Sequence, residues 1–159
     1  MITTGALRLP LILLVAFFLQ FTPLPDWLAT ARPLWIAAAL VAWALSSRDP
    51  RGLFSAWIAG LLLDAAYGSV LGQHALALTL LVFLAIQMRG MISVLPGWQS
   101  ALALLPAWLT YTFVLFWIDG STQHQADPWQ RWMPAYLTSL VWPLLWPLMR
   151  GLMRRDFRE

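Results

Sequence analysis

Asp64 is the acid most out of place in this 159-residue chain. It interrupts an apolar run over residues 53–67, about 12 residues into a helix. At 1.5 Å per residue that is about 18 Å deep, just past the middle of a hydrocarbon core about 30 Å thick. A carboxylate there costs about 2.5–3.5 kcal/mol on insertion scales, so something must offset it. Gly60, Asp64, Gly68 and Gly72 recur every four residues and would share one slowly drifting face of a continuing helix. Gly60 lets a neighbouring backbone approach closely, and Asp64 can hydrogen-bond across that contact. Gly68 and Gly72 suit an outward turn. Two readings of Asp64 stand open. It either fixes helix packing by pairing with a loop N–H or a neighbouring side chain, or lines a pocket for an ion, a lipid group or a partner helix. A lone catalytic acid is a third. His74, ten residues on, is the obvious potential partner; Arg32 and Arg131 lie on the same side, and the sequence does not choose among the three.

Other chemistry is poorly supplied. The chain has no Cys, which excludes disulfides, thiol nucleophiles and Cys-based metal sites. Two His, His74 and His124, do not make a zinc cluster. No Ser-His-Asp arrangement, phosphate loop or nucleotide motif is present, and no cofactor is expected. Asp64 with Asp119 is a poor aspartyl dyad, because Asp119 falls at a helix end beside Gly120.

The elements that position these residues follow from composition. Hydrophobic residues make up 60% of the chain and charged residues 11%, against about 25% charged in soluble proteins. With 11 Trp and 8 Phe, this excludes a soluble globular domain, a disordered chain and a coiled coil. The fold class expected is an all-α membrane protein, one transmembrane domain over residues 1–159. Its six helices are expected at about 9–22, 33–46, 52–67, 71–88, 98–118 and 132–149. Pro33 suits the first turn of the second helix. An uncleaved first helix is preferred to a signal peptide, although Ala29-Thr30-Ala31 is a small-x-small triplet. Pro106, Pro143 and Pro147 lie within the last two helices and favour kinks.

Charge orients the bundle. All ten basic residues are Arg, and the net charge is +3. Arg8, Arg48, Arg51, Arg89, Arg150, Arg154, Arg155 and Arg158 fall on one side, and Arg32 and Arg131 on the other. The positive-inside rule makes both termini cytoplasmic. This placement favours membrane orientation, with anionic lipid as a contact, over nucleic-acid binding.

The motifs resemble a known family. Pro23-Leu24-Pro25-Asp26 with Arg32-Pro33-Leu34-Trp35 is similar to the first outward loop and second helix of MreD, the rod shape-determining membrane protein of bacteria. The G-xxx-D-xxx-G-xxx-G segment from Gly60 to Leu76 resembles that family's most recognisable stretch, and so does the end from Leu140-Val141-Trp142-Pro143 to Arg150. The likeness covers nearly the whole chain. It implies a non-enzymatic inner-membrane component of the elongasome that binds MreC. It also implies a link between MreB filaments and the peptidoglycan polymerase RodA with its transpeptidase. It further implies a fold similar to the substrate-binding subunits of energy-coupling-factor transporters.

The leading expectation is therefore an assembly protein with no catalytic residues. Gly60, Asp64, Gly68, Gly72 and His74 form one partner or packing site, and Arg32, Pro33 and Trp35 a second cluster. The alternatives are a membrane-embedded solute-binding subunit of a small-molecule transporter and an intramembrane enzyme acting on lipid-linked substrate.

Overall fold

Leu- and Ala-rich runs separated by Pro, Gly and polar turns become helices, because straight-chain apolar residues lose little freedom on helix formation. The computed structural model describes residues 4–23, 25, 32–47, 51–121 and 128–153. The side chains of residues 4–7, 128–130, 152 and 153 are also outside that description. So are Leu24 and Asp26 of the first motif, the triplet Ala29-Thr30-Ala31, and Arg48. The same holds for His124, Arg154, Arg155 and Arg158.

The described residues form six helices, α1 (Thr4–Phe21), α2 (Trp35–Ser46), α3 (Arg51–Tyr67), α4 (Gln73–Ile92), α5 (Gly97–Ser121) and α6 (Pro128–Met153), with no strand among them. Among the described residues the fold is thus all-helical, as expected from the sequence. Two helices, Gln73–Ile92 and Gly97–Ser121, are long and apolar enough to cross a membrane. Only 39% and 33% of their most apolar windows is buried, so they are not the wrapped core helices of a soluble protein. Arg8–Phe21 and Trp35–Ser46 are apolar but shorter.

The core is built around α2. Nine of its 12 residues are buried, from Ile36 to Leu45, on every side of the helix. Five of the nine are Ala, which lets backbones approach closely. The helix packs against α1, α3, α4 and α6. At 12 residues it is about 18 Å long, too short to span a hydrocarbon core by itself. Its neighbours sheathe it instead. The outer faces of the bundle are apolar: Leu14, Phe18, Leu71, Leu102, Leu140 and Leu144 are all exposed. Large apolar surface on several helices is what a lipid-facing bundle shows and a soluble monomer avoids.

Helix ends differ from those expected where local geometry overrides the apolar pattern. Pro33 does not open the second helix. Leu34 adopts φ −79° and ψ 74°, and the Trp35 N–H donates to the Pro33 carbonyl at 3.0 Å, an inverse γ-turn that delays the helix to Trp35. The fourth helix starts at Gln73 rather than 71, because Gly72 holds φ +98°. The sixth begins earlier than 132, with Pro128 at its first position, where the missing N–H costs nothing.

Candidate functional site

The site begins where α3 turns back into α4. Gly60 faces the start of α4, and a Cβ placed there would lie 2.2 Å from Ala75 Cα and 2.4 Å from Ala75 N. Only glycine permits that approach. It brings Asp64, one turn further on, against the open N-terminus of α4. Helix α3 then ends with Gly68 at φ +64° and the Ser69 N–H donating to the Asp64 carbonyl at 3.1 Å, a Schellman closure. Asp64 therefore lies in the last turn of α3, which ends at Tyr67, where the sequence places its end.

Asp64 is 1% exposed, yet every part of its carboxylate is engaged. Oδ2 accepts from the Gly72 N–H at 2.8 Å. Oδ1 accepts from the His74 N–H at 2.9 Å, from Ser69 Oγ at 2.9 Å and from His74 Nδ1 at 2.8 Å. Four donors thus hold the carboxylate, three on Oδ1 and one on Oδ2. Gly72 has no side chain to cap α4, so Asp64 of the preceding helix performs that task. Its negative charge also faces the positive end of the α4 dipole. The contact with Asp64 fixes the His74 tautomer with hydrogen on Nδ1 and leaves Nε2 for other partners.

Arg32, Pro33 and Trp35 belong to the same end of the bundle. The Arg32 guanidinium donates to the Gln20 carbonyl and, at 2.9 Å, to the Thr22 carbonyl, closing the C-terminus of α1. Gln20 Oε1 accepts from the Trp35 N–H at 3.2 Å, and Thr138 Oγ accepts from the Leu34 N–H at 2.8 Å. The N-terminus of α2, like that of α4, is thus capped by side chains from other helices. Without water in hydrocarbon, such donors must be satisfied within the protein.

Gln20 joins the two expected clusters. Its Nε2 donates to the Tyr67 hydroxyl at 3.1 Å, and the Tyr67 and His74 rings lie 5.4 Å apart. Arg131 and Asp119 form a second ion pair, and Gln73 Nε2 donates to Asp119 Oδ1 at 2.7 Å. Neither Arg131 nor Arg32 reaches Asp64; His74 is its partner. Asp64 and Asp119 are each held by their own donors rather than as a dyad. Sequence reasoning did not assign roles to Gln20, Tyr67, Gln73 or Thr138. A polar residue inside an apolar run was the signal for Gln20 and Thr138.

These residues surround a cavity of about 950 Å³ at one end of the bundle. Tyr67, Gly68 and Val70 are exposed around it, whereas Leu34, Gln73 and Tyr111 lie deeper. Among the described residues no three metal-ligating side chains gather.

The architecture and the capped turn can now be set beside known proteins. The family model described as rod shape-determining protein MreD matches residues 1–155. The chain belongs to the MreD family. It is 25% identical over 129 residues to the rod shape-determining protein MreD of Haemophilus influenzae, covering 81% of this chain and 80% of that protein. No solved structure matches, so the expected likeness to energy-coupling-factor substrate-binding subunits finds no support there. Within this MreD-family chain, the G-xxx-D-xxx-G-xxx-G stretch is a helical hairpin with an acid cap. That arrangement holds a turn in place.

Proposed function

We propose that this chain is a non-enzymatic, multi-pass component of the rod complex in the bacterial inner membrane, with both termini cytoplasmic. It binds MreC and helps couple MreB filaments to peptidoglycan synthesis by RodA and its transpeptidase. Membership of the MreD family carries the reading. The geometry supports it in two ways. The buried acid is engaged by four donors of its own hairpin, which is the pattern of a structural cap. The outward faces of the helices instead offer apolar surface suited to helix–helix and lipid contact. In this reading the capped end is a rigid frame, and partners meet the outer faces.

Site-specific photo-crosslinking in living cells tests the assignment. A photoreactive residue is placed in turn at Leu14, Phe18, Leu62, Leu102, Leu140 and Leu144, all exposed. Adducts with MreC should cluster on one face of the bundle, in cells that remain rods. Cells that stay rod-shaped while no position yields an MreC adduct would contradict direct binding.

A further inference from the structure

A groove runs along the outside of the bundle between α1 and α3. Leu13 and Phe17 form one wall, Leu62 and Ala66 the other, and the buried Leu9 and Ala59 lie deepest. Among the described residues that line it, Ser55 is the one polar side chain. At one end the two helices meet. The Phe21 and Tyr67 rings lie 5.4 Å apart there, and Gln20 donates to the Tyr67 hydroxyl at 3.1 Å. That contact closes the groove.

The other end carries positive charge. Arg51 is exposed and begins α3. Positions 51, 55, 58, 62 and 66 follow helical spacing, so Arg51 continues the stripe that lines the groove. Arg8 directly precedes Leu9 and is half-buried. Arg48 and Asp49 neighbour Arg51 in the chain, which makes three Arg against one acid.

Size discriminates between occupants. From Leu9 to Phe21 the groove follows about 18 Å of helix. Its volume is about 550 Å³, a mean section of about 30 Å² over that length. A helix about 10 Å across has a section of about 80 Å² and does not enter such a slot. A single methylene chain does, since contacting carbons need about 4 Å of separation. The length also suits one leaflet, half of a hydrocarbon core about 30 Å thick.

We propose that this groove holds one acyl chain of an anionic phospholipid, with the phosphate at Arg8 and Arg51. The apolar walls take the chain, and the excess of Arg at the open end selects the headgroup. The bound chain fills the space between α1 and α3 below the Phe21–Tyr67 contact. The inference rests on the reading of this chain as a membrane-embedded bundle. It does not depend on MreC, nor on which side of the membrane the Arg end faces.

Native mass spectrometry of the full chain in detergent tests it, counting lipids bound as phosphatidylglycerol or phosphatidylcholine with identical oleoyl chains is added. The first phosphatidylglycerol should bind at least about tenfold tighter than the first phosphatidylcholine, a gap of about 1.4 kcal/mol. The single-chain lyso forms of the two lipids should show the same preference, because one chain suffices. Leu62→Trp and Leu14→Trp each fill the groove from an exposed position, on opposite walls, and either should abolish the tight first binding. Arg8→Gln with Arg51→Gln should bring the two lipids level. Equal affinity of both lipids for the unmodified protein would overturn the proposal, as would tight phosphatidylglycerol binding that persists in both Trp variants. In cells, a photoreactive residue at Leu62 should capture lipid. A protein adduct there in its place would assign the groove to a partner and overturn the proposal as well. A chain that stays monodisperse without detergent would overturn the membrane reading itself, and this inference with it.

Discussion

The two ends of the bundle use charge differently. At the cavity end, Asp64, Asp119, Arg32 and Arg131 are all consumed inside the protein, by helix termini or by each other. At the opposite end the described ionisable side chains are Arg8, Arg51, Arg89 and Arg150, with no described acid among them. Among their contacts there, Arg89 donates to the Ala44 carbonyl at the end of α2 at 2.8 Å, and Arg150 sits over the Trp146 ring. One end spends its few polar groups on holding helix ends where water is absent. At the other end the sequence sets eight Arg against Asp49, Asp156 and Glu159, an excess of positive charge that fits an end that sets orientation.

The contrast predicts that damage at the cavity end is read as lost stability, and damage at the other end as altered orientation. The largest effect is expected for Gly60→Val. With an added Cβ only 2.2 Å from Ala75 Cα, the α3–α4 hairpin must part, costing about 3 kcal/mol or more. Thermal unfolding in detergent and the yield of monodisperse protein report it. Gln20→Ala comes next, since it leaves the Trp35 N–H with only the Pro33 carbonyl and removes the bond to Tyr67; about 1–2 kcal/mol is expected by the same measurement. Gly68→Ala is milder. Nothing lies within 4 Å of the new methyl, so only the strain of φ +64° remains, about 1–2 kcal/mol at most. The smallest stability change, about 0.5–1 kcal/mol, is expected for Arg150→Gln, which removes the contact with the Trp146 ring. That substitution should instead leave a minority of chains inverted. The native chain has no Cys, so labelling of one Cys introduced at the C-terminus gives a clean measure of orientation.

What the sequence revealed depended on distance along the chain. The four-residue spacing of Gly60, Asp64, Gly68 and Gly72 was legible as a close helix contact followed by a turn. His74 stood out as a potential partner of Asp64 within the same hairpin, but the choice between it, Arg32 and Arg131 was not legible. Local periodicity carries no register between distant helices. The caps from Gln20 and Thr138, which reach across 15 and 104 residues, were therefore invisible. Arg131 and Asp119 read as a loop charge and a helix end for the same reason. The start of α2 was misplaced because an inverse γ-turn at Leu34 depends on those tertiary donors and acceptors, not on the helix preference of Pro33.

The claim that joins these observations is that Asp64 is an architectural cap supplied by one helix to the next. The direct measurement is the thermal unfolding midpoint of purified Asp64→Ala beside the unsubstituted chain. Removal would leave the Gly72 and His74 N–H groups and the His74 ring without their acceptor. A cost of roughly 3 kcal/mol follows for breaking such a buried pair, and in a chain of this size that is a fall of about 6–12 °C. An unchanged midpoint, with rod shape lost in cells carrying the variant, would contradict the account and make Asp64 a contact for a partner or ligand instead.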